Sequence, residues 1–458
     1  MADHISQTDL SQWLNSHNIR RVRTEGTSLD SGLIGKALSP AKAVGTLDSG
    51  VGFVDLVFGS DLHNNPEFGF AWPSWRGDMV DVFLKPDLST LVQWSPNEAS
   101  VLGNFHDRLG NPLSVCPRGM LQRAYERIKD AGYTAKVAIE IEATVFEEDI
   151  YTARAKGFRD LTPLGGSAGF CYNMTKDDRW HEYMAAVSDR LDELGIAWDA
   201  CNDEAAVGQV EVNISITDPV NACDSWTRVR QVMREVAFEL GRTVTFIAKW
   251  CDAYGQASHI NLSLAKSDGS NAFYASEGIS DDLRHFLGGV METVAPTTAL
   301  AFPWITSYRR VADFEGPPST VTWGVANKTT AIRAVVDHPK QSRIEYRVPG
   351  ADTNVYVVLA AILASGLNGL QNAIEPPEPF VGVAYGLPDG LVERLPDTIG
   401  KALTILENDT VLRSVLGEEF VDYWIGRKRW EWRQYHNHGG EPESPITDWE
   451  LTRYFELV

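Results

Sequence analysis

Stretches of strand-like and helix-like patterning alternate irregularly along this chain. Val51-Gly-Phe-Val-Asp-Leu-Val-Phe58 and Val80-Asp-Val-Phe-Leu84 have strand composition, and Pro86-Asp87-Leu-Ser-Thr90 turns the chain. Pro117 opens a helical pattern in which Leu121, Ala124, Ile128 and Ala131 share a face until Gly132 stops it. Ala135 to Phe146 reads as a strand, Trp180 to Leu194 as an amphipathic helix and Val210 to Ile216 as an alternating strand. Ser225 to Leu240 predicts a helix, His259 to Leu264 a strand, and Asp281 to Val294 and Ala351 to Leu370 two more helices. The tail from Ile399 to Val458 is mostly helical and polar, rich in Trp and Arg. The order of these elements predicts an α+β fold with a largely antiparallel sheet. Gly103, Gly110 and Pro112 interrupt a polar stretch, and a domain boundary is expected there, with domains at 1–108 and 109–458.

Composition narrows the function classes. The 458 residues carry 41 Lys plus Arg against 62 Asp plus Glu, a net charge of −21. Such a surface repels phosphate backbones, so nucleic-acid binding is not expected. The five cysteines include no CxxC pair, which argues against a disulfide scaffold and for a reducing compartment. Met1 to Leu10 is polar and shows no secretory pattern. The longest apolar run, Val355 to Ala364, falls short of the roughly 20 residues of a membrane helix. A cytoplasmic protein without a membrane partner is expected.

Four constellations carry chemistry. In Ala138-Ile-Glu140-Ile-Glu142-Ala, two acids share one face of an apolar strand and repel unless a cation sits between them. A metal site and an exposed strand face both account for them. Glu204 precedes a Gly-Gln turn and Glu211 opens a strand, so a loop can fold one acid over the other. His259, Asn261 and Ser263 share a face of a short strand. The densest cluster is cationic: Arg309, Arg310, Lys328, Arg333, Lys340, Arg343 and Arg347 fall within 40 residues. Arginine forks bind carboxylate and phosphate oxygens bidentately. Walker A, GxGxxG and GxSxG patterns are absent, so phosphate chemistry would rest on metals and arginines.

In this order, from the Glu-x-Glu strand through Arg347, these segments resemble the glutamine synthetase family. Leu395-Pro-Asp-Thr398 and Thr447-Asp-Trp-Glu450 are similar to family endings, and Pro86 to Thr90 to the end of the family's N-terminal domain. The resemblance implies a small β-grasp-like N-terminal domain and a large catalytic domain with a curved antiparallel sheet flanked by helices. It implies a homo-oligomer of stacked rings, expected to be a dodecamer, with active sites between subunits. Glu142, Glu204 and Glu211 would hold one divalent metal, and Glu140, His259 and Glu345 a second. Carboxylate-rich sites suit Mg²⁺ or Mn²⁺. Arg310 would take the α-carboxylate of glutamate and Arg347 its side-chain carboxylate, with Gly255 lining that site. Arg333 and Arg343 would grip ATP phosphates, and Ser263 would lie near the nucleotide.

Departures from the family pattern bear on the substrate. Ammonia-using members carry a glutamate six residues after the arginine matching Arg310; here that position is Gly316, with Glu315 beside it. Loss of this acid leaves room for a nucleophile larger than ammonia. Lys328 replaces a usual arginine, Asn261 a usual histidine near the nucleotide and Gly350 the acid of an Arg-x-Pro-Asp pattern. The resemblance is strongest to the γ-glutamylpolyamine and γ-glutamylanilide synthetases. An ATP-dependent ligase joining glutamate to a primary amine other than ammonia is expected. The resemblance implies that this N-terminal region of one subunit faces the amine site of the next, and its aromatic residues from Phe53 to Phe70 and Trp72 point to a small apolar or aromatic amine, such as aniline or isopropylamine. Asp61 or Asp55 would accept the amine proton; if both line the pocket, a diamine or polyamine fits better. An ammonia-using enzyme with Glu315 as the closing acid, and a non-catalytic regulatory relative, are the alternatives.

Overall fold

The computed structural model describes residues 7–66, 79–165, 171–172, 174, 178–311, 314, 316–441 and 444–458. Two sheets organise them. The smaller is built from β1 (Arg21–Thr27), β2 (Leu33–Leu38), β3 (Val51–Val54), β4 (Asp81–Pro86), β5 (Val92–Ser95) and β6 (Glu98–His106). Its order is β2-β1-β6-β4-β3, with β5 also on β6; β1 and β6 run parallel and the other pairs antiparallel. One apolar cluster (Val22, Ala99, Val101) packs with Leu10 and Leu14 of the helix Gln7–Ser16. A second, containing Leu84, Trp94 and Phe105, is continuous with the main core.

The larger sheet comprises β7 (Thr134–Phe146), β8 (Trp198–Asp203), β9 (Gln209–Ile214), β10 (Thr243–Thr245), β11 (Ile260–Ala265), β12 (Trp323–Val325), β13 (Ile332–Val335) and β14 (Arg343–Tyr346). Its order is β12-β13-β14-β11-β7-β9-β8, with β10 on β7, and only β12–β13 is parallel among these pairs. The expected α+β fold with a largely antiparallel sheet is what forms. The 13 residues of β7 hold the centre. Its first half pairs with β11, and Glu140 to Thr144 pair with β9.

Some elements differ from their sequence pattern. The strand expected through Phe58 ends at Val54, and Leu56–Gly59 is a short helix. Tertiary packing overrides β-propensity here: Phe58 is buried edge-on against Phe105 at 5.1 Å, and its carbonyl accepts from Tyr423 Oη and Arg427. The apolar run near Val355 extends into an 18-residue helix, Val355–Asn372, long and apolar enough by composition to cross a membrane. It is 78% buried and packs on the helices Asp281–Glu292 and Pro117–Asp130, as a core helix does.

Candidate functional site

β7 sets the geometry of the site. Glu140, Glu142, His259, Glu345, Glu204 and Glu211 line one cavity of about 290 Å³ with Arg310, Lys328, Arg333, Arg343, Arg347, Gly255 and Gly316. Glu142 stands directly opposite Glu211 in the β7–β9 register. Like charges in that position destabilise a sheet. Burial, then Glu140 and Glu204, push the Glu211 carboxyl up to about 8, and Glu204 and Glu211 hydrogen bond to each other. Burial also raises Glu142, whose carboxylate accepts from Ala257 N at 2.6 Å. Gln209, two residues before Glu211 on the same strand face, donates to the Gly255 carbonyl at 3.0 Å and toward Glu142 at 3.5 Å.

The second acid group is tighter. Ligand atoms of Glu140, His259 and Glu345 lie within 4.8 Å of one another. His259 Nδ1 sits 2.7 Å from Glu140 and 3.9 Å from Glu345. His259 Nε2 is buried without a hydrogen-bond partner. Burial favours a protonated Glu345, but His259, Arg347 and Arg333 outweigh it and hold the carboxyl down at about 2. Two acid groups containing one imidazole, with an orphaned ring nitrogen and five carboxylates gathered around one cavity, fit hard divalent cations.

The cations divide between this cavity and the scaffold. Arg333 donates to Glu345 at 2.8 Å and Arg347 donates to its other oxygen. Arg343 Nε donates to Asn261 Oδ1 at 2.9 Å, and Asn261 Nδ2 donates to Glu140 at 3.0 Å, so Asn261 bridges the cationic and acidic groups. Arg310 is 2% exposed, and its guanidinium donates to the Val348 carbonyl at 2.7 Å. Burial lowers it to about 10. Arg309, its neighbour, turns away to Glu450 at 2.7 Å. Asn261, Ser263 and Lys340 line a second cavity of about 450 Å³, which shares Glu140 and Arg343 with the first.

Asp55 and Asp61, the acids expected on the amine side, lie apart from both cavities of this one chain. Asp61 is 9% exposed, ion-paired to Arg453 at 3.1 Å, and accepts from the His63 and Asn65 amides. Asp55 is buried as well. Phe53 is a core residue packed on Phe105 at 5.7 Å, while Phe70, Trp72 and Glu315 lie outside the described residues. The aromatic residues at the first cavity are Tyr172 and Tyr254, which sequence reasoning missed; their loops carry no periodic signal.

The glutamine synthetase catalytic domain matches residues 114–454, and the chain belongs to the glutamine synthetase family. It is 31% identical over 454 residues to a glutamate–isopropylamine ligase of a Pseudomonas species, covering 97% of each chain. It is likewise 31% identical over 414 residues to a γ-glutamylethanolamide synthetase of Streptomyces coelicolor, covering 90% of this chain and 87% of that one. Among solved structures, a GmaS–ADP complex superposes with a TM-score of 0.82 at 25% identity, covering 97% of this chain and 98% of that one.

The acid groups make one pH dependence testable. An acid raised in the folded state keeps a proton that the unfolded chain releases, so stability falls with pH between the two values. For Glu211 that window runs from 4.5 to about 8. The melting temperature of chelator-treated protein is expected to fall across this window and to recover on adding Mg²⁺. A flat profile would remove the proton from this cluster.

Proposed function

We propose that this chain joins the γ-carboxyl of glutamate to a primary amine other than ammonia, with ATP as the phosphoryl donor. The observation that carries the reading is Gly316 in the wall of the cavity, at the position of the acid in ammonia-using members. A Cβ built there meets nothing within 4 Å, so no neighbouring atom blocks the first step of a side chain at this position. The named relatives, an isopropylamine ligase and an ethanolamide synthetase, support an organic amine.

The roles follow from charge. A carboxylate is a poor electrophile because its leaving group would be oxide; phosphorylation supplies phosphate instead, through γ-glutamyl phosphate. Arg310 takes the α-carboxylate of glutamate and Arg347 the side-chain carboxylate. Arg333, Arg343 and Lys328 take phosphate oxygens, with the nucleotide reaching toward Asn261 and Ser263 in the adjoining cavity. Divalent cations held by the six acid-group residues would screen the charge of the transferring phosphoryl group. The neutral amine then attacks the carbonyl. Oligomerisation into stacked rings belongs to this proposal too, since family sites form between subunits.

Phosphate release with glutamate, ATP and Mg²⁺ across ammonia, methylamine, isopropylamine, ethanolamine, putrescine and aniline tests the reading. A strong response to one organic amine with little to ammonia is expected. A response to ammonia alone would overturn it. Gly316→Glu is expected to shift preference toward ammonia. Its φ of +95° strains any side chain, so Gly316→Ala serves as the backbone control. An unchanged amine profile would remove position 316 from nucleophile selection. Gly255→Ala is expected to raise KM for glutamate about ten-fold or more, because its Cβ would stand 2.6 Å from Arg310 Cγ and displace that side chain. An unchanged KM would detach Arg310 from the α-carboxylate.

A further inference from the structure

Residues 373–398 join the helices Val355–Asn372 and Ile399–Asn408 without a helix or extended strand of their own. Connections of that length inside a compact fold are usually functional. This one is pinned at both ends to the segment that bears Lys328. Phe380 N donates to the Trp323 carbonyl at 2.7 Å, and Trp323 Nε1 to the Pro377 carbonyl at 2.6 Å. Asn327 Nδ2 donates to the Gly382 carbonyl at 2.8 Å, and Ala384 N to Thr329 Oγ1 at 2.9 Å. Farther on, Val321 N donates to the Glu393 carbonyl and Leu395 N to the Ser319 carbonyl. The connection is a strap lying along residues 319–329.

Its middle also reaches Gly316, another residue lining the cavity. Tyr385 Oη donates to the Gly316 carbonyl at 2.6 Å. The Tyr385 ring packs on Phe314 with centroids 5.5 Å apart. Gly386 has a φ of +62°, and a Cβ there would meet Phe314 Cζ at 2.9 Å, so glycine is what lets the Phe314 ring lie over the strap. Phe314 itself holds a φ of +67° and is 66% exposed, so the Tyr385 ring is a principal contact of its side chain. One short segment thus bonds both the neighbours of Lys328 and the backbone of Gly316.

We propose that Tyr385 is a positioning residue for amine selection: its bond to the Gly316 carbonyl sets how far the wall bearing Gly316 stands from the phosphate-binding side. The assignment rests on the reading of Gly316 as part of the amine site. It implies that the strap, and not position 316 alone, fixes the size of amine accepted.

Tyr385→Phe keeps the ring and removes the tether. The KM for the preferred amine is expected to rise about five-fold or more, the worth of one hydrogen bond, while KM for glutamate and ATP and the kcat stay within two-fold. Larger amines should gain relative to smaller ones. Gly386→Ala, which crowds Phe314, is expected to move the amine KM the same way. Amide exchange in a peptide spanning residues 308–324 should quicken in Tyr385→Phe, a readout that needs no turnover. An amine KM and an exchange rate both at wild-type values would overturn the proposal. A uniform change in all three KM values and kcat would overturn it too, as a merely structural effect. If the wild-type enzyme uses ammonia alone, the organic-amine reading fails, yet the KM for ammonia and the exchange rate still report on the tether.

Discussion

Replacing Glu345 by alanine is expected to abolish turnover while leaving the chain folded. Glu345 is 3% exposed and is the point at which the acidic and cationic halves of the cavity meet. Arg333 and Arg347 donate to its two oxygens, and His259 Nδ1 lies 3.9 Å away. Removing the carboxylate takes a donor from the Glu140–His259–Glu345 group. It also frees two guanidiniums from their counter-charge, so their positions relative to substrate change together. Loss of one preorganised charge at a reacting centre costs roughly 10²–10³ in kcat, and here both effects add. Glu345→Gln keeps the shape and one hydrogen-bond acceptor but not the charge, so it should be nearly as damaging. The measurement is kcat with the preferred amine, alongside circular dichroism and the oligomer size. Near-wild-type turnover in Glu345→Ala would sink the assignment of this group to cation binding.

How much of this was legible in the sequence depended on whether a residue acts locally or through a distant partner. Glu140 and Glu142 stood out because a period of two puts both on one face of an apolar strand, and the β7 register does place them at the cavity. The helix Pro117–Asp130 starts at the expected proline and ends one residue short of Ala131, the last of its expected apolar face. The helix expected from Ser225 begins at Pro219, where Asp218 caps it by accepting from the Val220 and Asn221 amides. That Asp-Pro pair was a readable start signal. Long-range pairing was not readable. Arg309 and Arg310 are adjacent and chemically identical, yet one reaches Glu450 and the other the cavity. Asp61 looked available because its partner, Arg453, lies 392 residues away in sequence. Gln209 was passed over as part of a turn, although it shares a strand face with Glu211 and braces Gly255.

Asp224→Ala is expected to destabilise the protein by roughly 3–5 kcal/mol, the usual cost of breaking a buried ion pair from one side. Arg118 and Asp224 are 2% and 4% exposed. Arg118 Nε and Nη2 both donate to the Asp224 carboxylate at 2.9 Å, Tyr356 Oη donates to it at 2.7 Å, and Arg118 Nη2 also reaches Asp87 at 2.8 Å. Burial disfavours the Arg118 cation, but Asp224 outweighs it and holds its pKa above the usual arginine value. Four segments meet there: the turn after β4, the helix Pro117–Asp130, the helix Pro219–Glu239 and the core helix Val355–Asn372. The alanine variant leaves a buried guanidinium facing the partly exposed Asp87 and the neutral Asn104 side chain, to which Arg118 Nη1 donates at 3.3 Å. The urea midpoint should therefore fall sharply, with the small sheet and the core losing their common transition. Replacing both partners with apolar residues, Arg118→Met with Asp224→Leu, should recover most of the loss, because the cost lies in the stranded charge and not in the absent attraction. A single variant costing under about 1 kcal/mol would mean that water reaches Arg118, and that the tie between the two sheets is carried instead by Trp94 and Arg23 on Glu235, at 2.8 and 3.0 Å.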